Sequence, residues 1–206
     1  MIEFKNVFIK YIQSFYSLYN FSHTFNKNTL IIGDATIGSS AILRIISKID
    51  TDFTGNVYID NLDIKSIKDK DINLAFVPQK CELFLHKNVE KNLLYPFIIR
   101  KTNKEIAKIK IFEFLKQFNL QQLLKTKVKK LNPSEQKIIA LMRAIIREPQ
   151  YILIEDFFKS LDINYHSLAN KLINFAAKKS IIIACEEEIN VNYYKNFEIL
   201  ELKKGD

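Results

Sequence analysis

The chain has 206 residues, 48% of them apolar, and carries 31 Lys and Arg against 23 Asp and Glu, a net charge of +8. That length and apolar content specify one domain with a substantial core and exclude a disordered chain. No apolar run reaches membrane-spanning length, MIEFKNVFIK is not a signal peptide, and Cys81 and Cys185 fit no metal spacing, so a cytosolic protein with reduced thiols is expected. Residues 2–9 read as a first strand and Phe21–Phe25 as a second, joined by a polar turn near Tyr19-Asn20. Leu30–Ile32 is a short buried strand, and Ala41, Ile42, Leu43, Ile45, Ile46 and Ile49 then recur at helical spacing. Residues 52–56 make a turn before the strand at 57–59, and Asn73–Val77 is a strand stopped by Pro78.

From about Cys81 to Ile146 the pattern becomes helical. Lys104–Phe118 predicts an amphipathic helix whose apolar face is Ile106, Ile109, Phe112 or Ile111, Leu115 and Phe118. Residues 131–134 break the pattern, and a helix starting at Pro133 and Ser134 runs to Arg147, with Pro149 beyond its end. Ser134 is a candidate cap for that helix. Tyr151–Ile154 is a strand ending in Glu155-Asp156; Leu161–Ala177 is a helix, Ser180–Ala184 a strand, and Phe197–Leu202 a last one. Strands alternating with helices imply a mainly parallel sheet interrupted by a helical insertion.

The stretch with most chemistry is Gly33–Ser40, GDATIGSS, behind the apolar run 29–32. A glycine-bounded turn between strand and helix is the layout of a phosphate loop, G-x-x-x-x-G-K-[ST]. Gly33, Gly38 and Ser40 occupy three of its four defining positions, and Ser39 stands where the lysine belongs. Only four glycines occur in the chain, so Gly33, Gly38 and Gly55 are expected where only glycine fits.

In this order the chain resembles the nucleotide-binding subunit of an ABC transporter over nearly its whole length. The residues that carry the resemblance are the phosphate loop, Gln79 in AFVPQ, LNPSEQ at 131–136 where the family has LSGGEQ, Ala140, Arg143 and Ala144 behind it, YILIED, and Ser160-Leu161-Asp162. The resemblance implies a P-loop NTPase (RecA-like) α/β fold with a mixed, mainly parallel sheet, an α-helical subdomain and an N-terminal antiparallel β portion. It implies one domain over 1–206, with core 1–80 and 147–206 and helical subdomain 81–146.

The resemblance also implies ATP and Mg²⁺ as ligands. Tyr11 would stack on adenine, and Gly33, Asp34, Ala35, Thr36, Ile37, Gly38, Ser39, Ser40 and Ala41 would cradle phosphate. Ser40, Gln79 and Glu155 would hold Mg²⁺. Asn132, Pro133, Ser134, Glu135 and Gln136 form the signature that closes the site across a dimer. Tyr11 as a plain aromatic, Gln79 as a strand end, and Glu155-Asp156 as a metal-free strand terminus remain alternative readings.

The departures touch every element around the terminal phosphate. Ser39 removes a charge-assisted contact of roughly 1.5–3 kcal/mol, and Arg44, more than a helical turn further on, points elsewhere. Pro133 deletes a backbone donor. Glu155 and Asp156 reverse the usual aspartate–glutamate order, shifting each carboxylate by about 1.5 Å, where misplacement can cost about 100-fold in rate. Asp156 would stand at the catalytic glutamate position, and Cys185 or Glu186 at the switch histidine.

The expectation is therefore a nucleotide-binding subunit with hydrolysis lost or strongly impaired, peripheral on the cytoplasmic face. Its partners would be a membrane-spanning permease, meeting residues 83–99, and a second cassette in a homo- or heterodimer. Competing readings are an active ATPase with atypical residues and a non-enzymatic scaffold. No base-reading motif supports nucleic acid as a partner.

Overall fold

A computed structural model describes residues 1–10, 17–33, 38–186 and 193–202. The elements are β1 (Ile2–Lys10), β2 (Ser17–Phe25), β3 (Thr29–Ile32), α1 (Ser39–Ile46), β4 (Thr54–Ile59), β5 (Leu62–Asp63), β6 (Leu74–Val77), α2 (Val89–Ile99), α3 (Lys104–Gln117), α4 (Pro133–Ile145), β7 (Tyr151–Glu155), α5 (Ile163–Ala176), β8 (Ile181–Glu186) and β9 (Glu198–Glu201).

They form two sheets. The antiparallel one has the order β2-β1-β4-β5, and the five-stranded one has the order β6-β7-β8-β3-β9, with every pairing parallel. This is the expected P-loop architecture with its antiparallel N-terminal portion.

Strand alternation divides the core in two. Ile31, Leu153 and Ile183 pack with α1 and the antiparallel sheet. Their neighbours Leu30, Ile152, Ile154, Ile182 and Ala184 pack with the helices of residues 89–176 on the other face. A parallel strand covered on both faces has to be apolar at consecutive positions, and TLII, YILI and IIIAC are.

Parallel register also brings strand ends together. Ile32 pairs with Glu186, and Glu155 pairs with Cys185. The turn after β3, the acid pair and the end of β8 therefore share one edge of the sheet, where open α/β sheets bind ligands.

Several sequence expectations are corrected, and residues 54–56 open β4 and are not part of a turn. Tyr19 and Asn20 lie inside β2 and not in a turn. Residues 81–88 precede the first helix of the insertion, and Cys81 and Glu82 have left-handed φ values of 49° and 44°. In α3 the buried residues are Ala107, Ile111, Phe114 and Leu115, while Ile106, Ile109 and Phe112 are exposed. Spacing of i, i+4, i+7, i+8 follows a helix face more closely than i, i+3, i+6, and the inner set wins on that geometry.

Gly55 is needed where β4 crosses β1. Its φ is +83°, and a Cβ there would stand 2.3 Å from the Asn6 carbonyl oxygen. Gly55→Ala is expected to destabilise the fold by about 2–4 kcal/mol, through backbone displacement and left-handed strain together. Urea unfolding checks this, with an unchanged midpoint as the contrary result.

Candidate functional site

The end of the candidate site expected to face phosphate begins at Gly38, which has φ 92° and stands at the N-cap of α1 with no side-chain cap and no acid in the first turn. Among the described residues no side chain caps the opening turn of α1, and the helix dipole favours an anion at such an end. Such an end fits a polyphosphate. Asp34, Ala35, Thr36 and Ile37 lie outside the described residues, as does Tyr11.

Ser39 is 1% exposed and its hydroxyl donates to the Gly33 carbonyl at 3.4 Å, so this position supplies a self-bonded hydroxyl and no cation. Burial pushes the neighbouring Cys185 thiol up to about 12, opposed by a hydrogen bond with Ser39. Ser40 and Ala41 are buried in the first turn of α1. Arg44 turns to Asp50, with Nε 2.6 Å from Oδ2.

Across the sheet edge, Glu155 accepts from the Gln79 backbone N–H at 3.4 Å through Oε2. Gln79 itself is exposed just past β6. No group of three or more His, Cys, Asp or Glu suited to a metal occurs among the described residues. Of the residues that the resemblance implies for Mg²⁺, Ser40 is buried in α1 and Glu155 lies beside the Gln79 backbone. Asp156 is 5% exposed with φ 42°, and its N–H donates to the Cys185 carbonyl at 2.9 Å.

The signature is engaged within its own chain. Asn132, and not Ser134, is the N-cap of α4, in a capping box with Glu135. Asn132 Oδ1 accepts from the Glu135 N–H at 2.8 Å, its Nδ2 donates to the Tyr165 hydroxyl at 3.1 Å, and Glu135 returns the bond to the Asn132 N–H. Pro133 follows at the first helical position, where its missing N–H costs the helix nothing. Ser134 Oγ accepts from the Asp162 N–H at 2.9 Å, and Gln136 Nε2 donates to the Leu131 carbonyl at 3.0 Å.

Glu186 at the end of β8 is 5% exposed. Its Oε1 accepts from the N–H of Phe157 at 3.1 Å, the N–H of Phe158 at 3.4 Å and the Tyr194 hydroxyl at 2.9 Å. Two residues of this cluster escaped the sequence reading, Lys137 and Tyr194. Lys137 is 6% exposed and donates to the carbonyls of Asp156 and Phe157 at 3.3 and 2.8 Å. The available signal was a lone lysine between Ser134 and Ile138 on an otherwise apolar helix face.

Burial raises the Glu186 carboxyl from 4.5 to about 7; hydrogen bonds from Tyr194 and residues 157–158 oppose the rise and nearby Asp156 adds to it. The folded chain therefore holds this proton more tightly than the unfolded one. The stabilisation is full below about pH 4.5 and is lost as pH rises through about 7. Wild type is expected to lose up to about 3 kcal/mol relative to Glu186→Gln between pH 5 and 8, read by urea titration. Parallel pH profiles for the two proteins would contradict this.

A family model described as ABC transporter matches residues 18–158. The molybdate/tungstate import ATP-binding protein of Methanocaldococcus jannaschii is 34% identical over 134 residues, which cover 65% of this chain and 45% of that protein. The sn-glycerol-3-phosphate import ATP-binding protein of Yersinia enterocolitica is 32% identical over 133 residues, 65% of this chain and 37% of that one. The chain thus matches less than half the length of these relatives.

A dimeric ATP-binding cassette in a post-hydrolysis state bound to ADP and Pi superposes with a TM-score of 0.84 at 24% identity, covering 100% of this chain and 95% of that one. The ADP conformation of a cassette of an ABC transporter gives 0.74 at 21%, over 94% and 84%; both likenesses bear on fold alone. The family match runs from Leu18 in β2 through α4 and β7 to Phe158, well over half of the chain, and the chain belongs to the ABC transporter family.

Proposed function

We propose that this chain is the nucleotide-binding subunit of an ABC-type transporter or membrane complex, working on the cytoplasmic face against a membrane-spanning partner. In this reading residues 1–206 are one domain, and the helical subdomain 81–146 faces the partner. A second cassette, identical or different, completes the dimer.

The observation that carries the reading is the distribution of exposed apolar side chains. Of the fourteen large ones among the described residues, seven fall between 85 and 112: Leu85, Tyr95, Ile98, Ile99, Ile106, Ile109 and Phe112. A concentration of this kind marks an interaction surface. Two of the seven, Tyr95 and Ile99, line a groove of about 420 Å³ together with Phe76, Phe84, Arg143 and Arg147.

That groove is held in shape by buried groups. Asn92, fully buried, accepts from the Phe84 N–H and donates to its carbonyl at 2.9 and 3.1 Å. Arg143 donates to the carbonyls of Glu82 and Cys81 at 3.0 and 3.2 Å. Segment 81–84 is thereby fixed to both α2 and α4, so an occupant of the groove has a rigid seat.

ATP with Mg²⁺ is the proposed ligand, bound weakly and hydrolysed slowly or not at all. The uncapped start of α1 supports binding, and the self-bonded Ser39 hydroxyl supports weakness. The internally engaged side chains of Asn132 and Ser134 support an impaired trans contact, because hydroxyl and amide groups already paired are poorly placed to serve a second subunit's phosphate.

Two measurements test the two halves. Pull-down of the tagged chain from membranes in mild detergent is expected to recover a polytopic membrane protein, and Ile98→Ser with Ile99→Ser to lose it. Recovery of none would contradict the partner. Calorimetric titration with Mg-ATP is expected to show that Ser39→Lys tightens binding by about one to two orders of magnitude; unchanged affinity would contradict the assignment of that position.

A further inference from the structure

We propose that Lys137 and Glu186 are positioning residues that preset the turn carrying Asp156, so that this acid is in its final place before any nucleotide arrives. The proposal rests on the reading of Glu155-Asp156 as the acid pair of a nucleotide site.

The turn is clamped at every peptide group. The Asp156 N–H donates to the Cys185 carbonyl at 2.9 Å. The Asp156 and Phe157 carbonyls accept from the single Lys137 ammonium at 3.3 and 2.8 Å. The Phe157 and Phe158 N–H groups donate to the single Oε1 of Glu186 at 3.1 and 3.4 Å. One buried cation thus takes the carbonyls and one buried carboxyl takes the amides, from opposite elements, α4 and β8.

The backbone between them is not one the chain would choose alone. Asp156 has φ 42°, a left-handed conformation that a non-glycine residue keeps only where its surroundings over-determine it. The clamps are themselves aimed. The Tyr194 hydroxyl donates to Glu186 at 2.9 Å, and the ring of its neighbour Tyr193 stacks on Phe158 at 4.3 Å and 14°. On the other side, α4 is tied to the segment beyond the turn by Ser134 and the Asp162 N–H at 2.9 Å.

Lys137 and Glu186 answer each other through the peptide groups of the turn, with no direct ion pair between them among the described residues. Removing either leaves the other buried beside backbone groups without their partner, which is the condition under which a local segment opens. Because protein groups fill these roles, a phosphate is not required as the template for the turn. Nucleotide binding would then leave residues 156–158 where they are.

Amide hydrogen exchange on the full chain, resolved at single residues by NMR, tests this. In the nucleotide-free protein the Phe157 and Phe158 amides are expected to exchange at least about 100-fold more slowly than an open chain, and saturating Mg-ATP to change them by less than about twofold. Glu186→Ala is expected to speed these two amides by about tenfold or more while Ile152–Ile154 in β7 keep their protection; Glu186→Gln, which retains an acceptor oxygen, restores them. Lys137→Met is expected to loosen the same pair.

Fast exchange in the free protein with protection only in Mg-ATP would overturn the proposal, as would a Glu186→Ala protein with unchanged Phe157 and Phe158. The free and loaded wild-type proteins need no variant, so a folding failure of Glu186→Ala does not remove the test. Failure of Mg-ATP to bind would instead strike the proposed function, and the free-protein protection would still decide this point.

Discussion

Two ionisable groups buried under the carboxyl edge of a parallel sheet must find hydrogen bonds or be expelled, and in this chain the same short turn answers both. Burial lowers the ammonium of Lys137 and raises the carboxyl of Glu186, so each has a reason to lose its charge unless compensated. The peptide groups of residues 156–158 supply part of that compensation. The same bonds hold α4 against the sheet, fix the left-handed Asp156 and seat Phe157 and Phe158 in the core. An apolar replacement of both ions could be as stable; what the ions add is a turn with one permitted geometry.

Much of this was legible in the sequence where one strong periodicity governs. The buried strands at 29–32 and 151–154 are apolar at consecutive positions, one ended by Gly33 and the other set between Pro149 and Glu155-Asp156, so a parallel sheet followed directly. Gly38 was legible as a special position because glycines are so few, and its φ of 92° at the start of α1 agrees. The inner face of α3 was misread because isoleucines line both sides of that helix, although the i, i+4, i+7, i+8 spacing of Ala107, Ile111, Phe114 and Leu115 was there to be read. Asn132 as the cap of α4 was hidden by a serine two residues later. The Lys137–Glu186 clamp was illegible for a different reason: its members are forty-nine positions apart, and the backbone atoms they bind carry no signature in sequence.

The candidate site combines parts that retain the architecture of the family with parts closed in on themselves. The start of α1 lies at the edge of the sheet with no side-chain cap among the described residues, and Glu155 ends β7 at the same edge. Yet Ser39 bonds back to Gly33, Asn132 and Ser134 are occupied within the chain, and the turn after Glu155 is fixed from inside. Meanwhile seven large apolar side chains between Leu85 and Phe112 stand exposed. In the proposed reading, such a chain transmits contact with a membrane partner more readily than it cleaves a phosphoanhydride.

Single-turnover hydrolysis of Mg-ATP by saturating purified protein tests that account most directly. It predicts nucleotide that binds and is recovered uncleaved, at rates below about 0.01 per second, far under the usual enzyme range. Cleavage near one per second would contradict it.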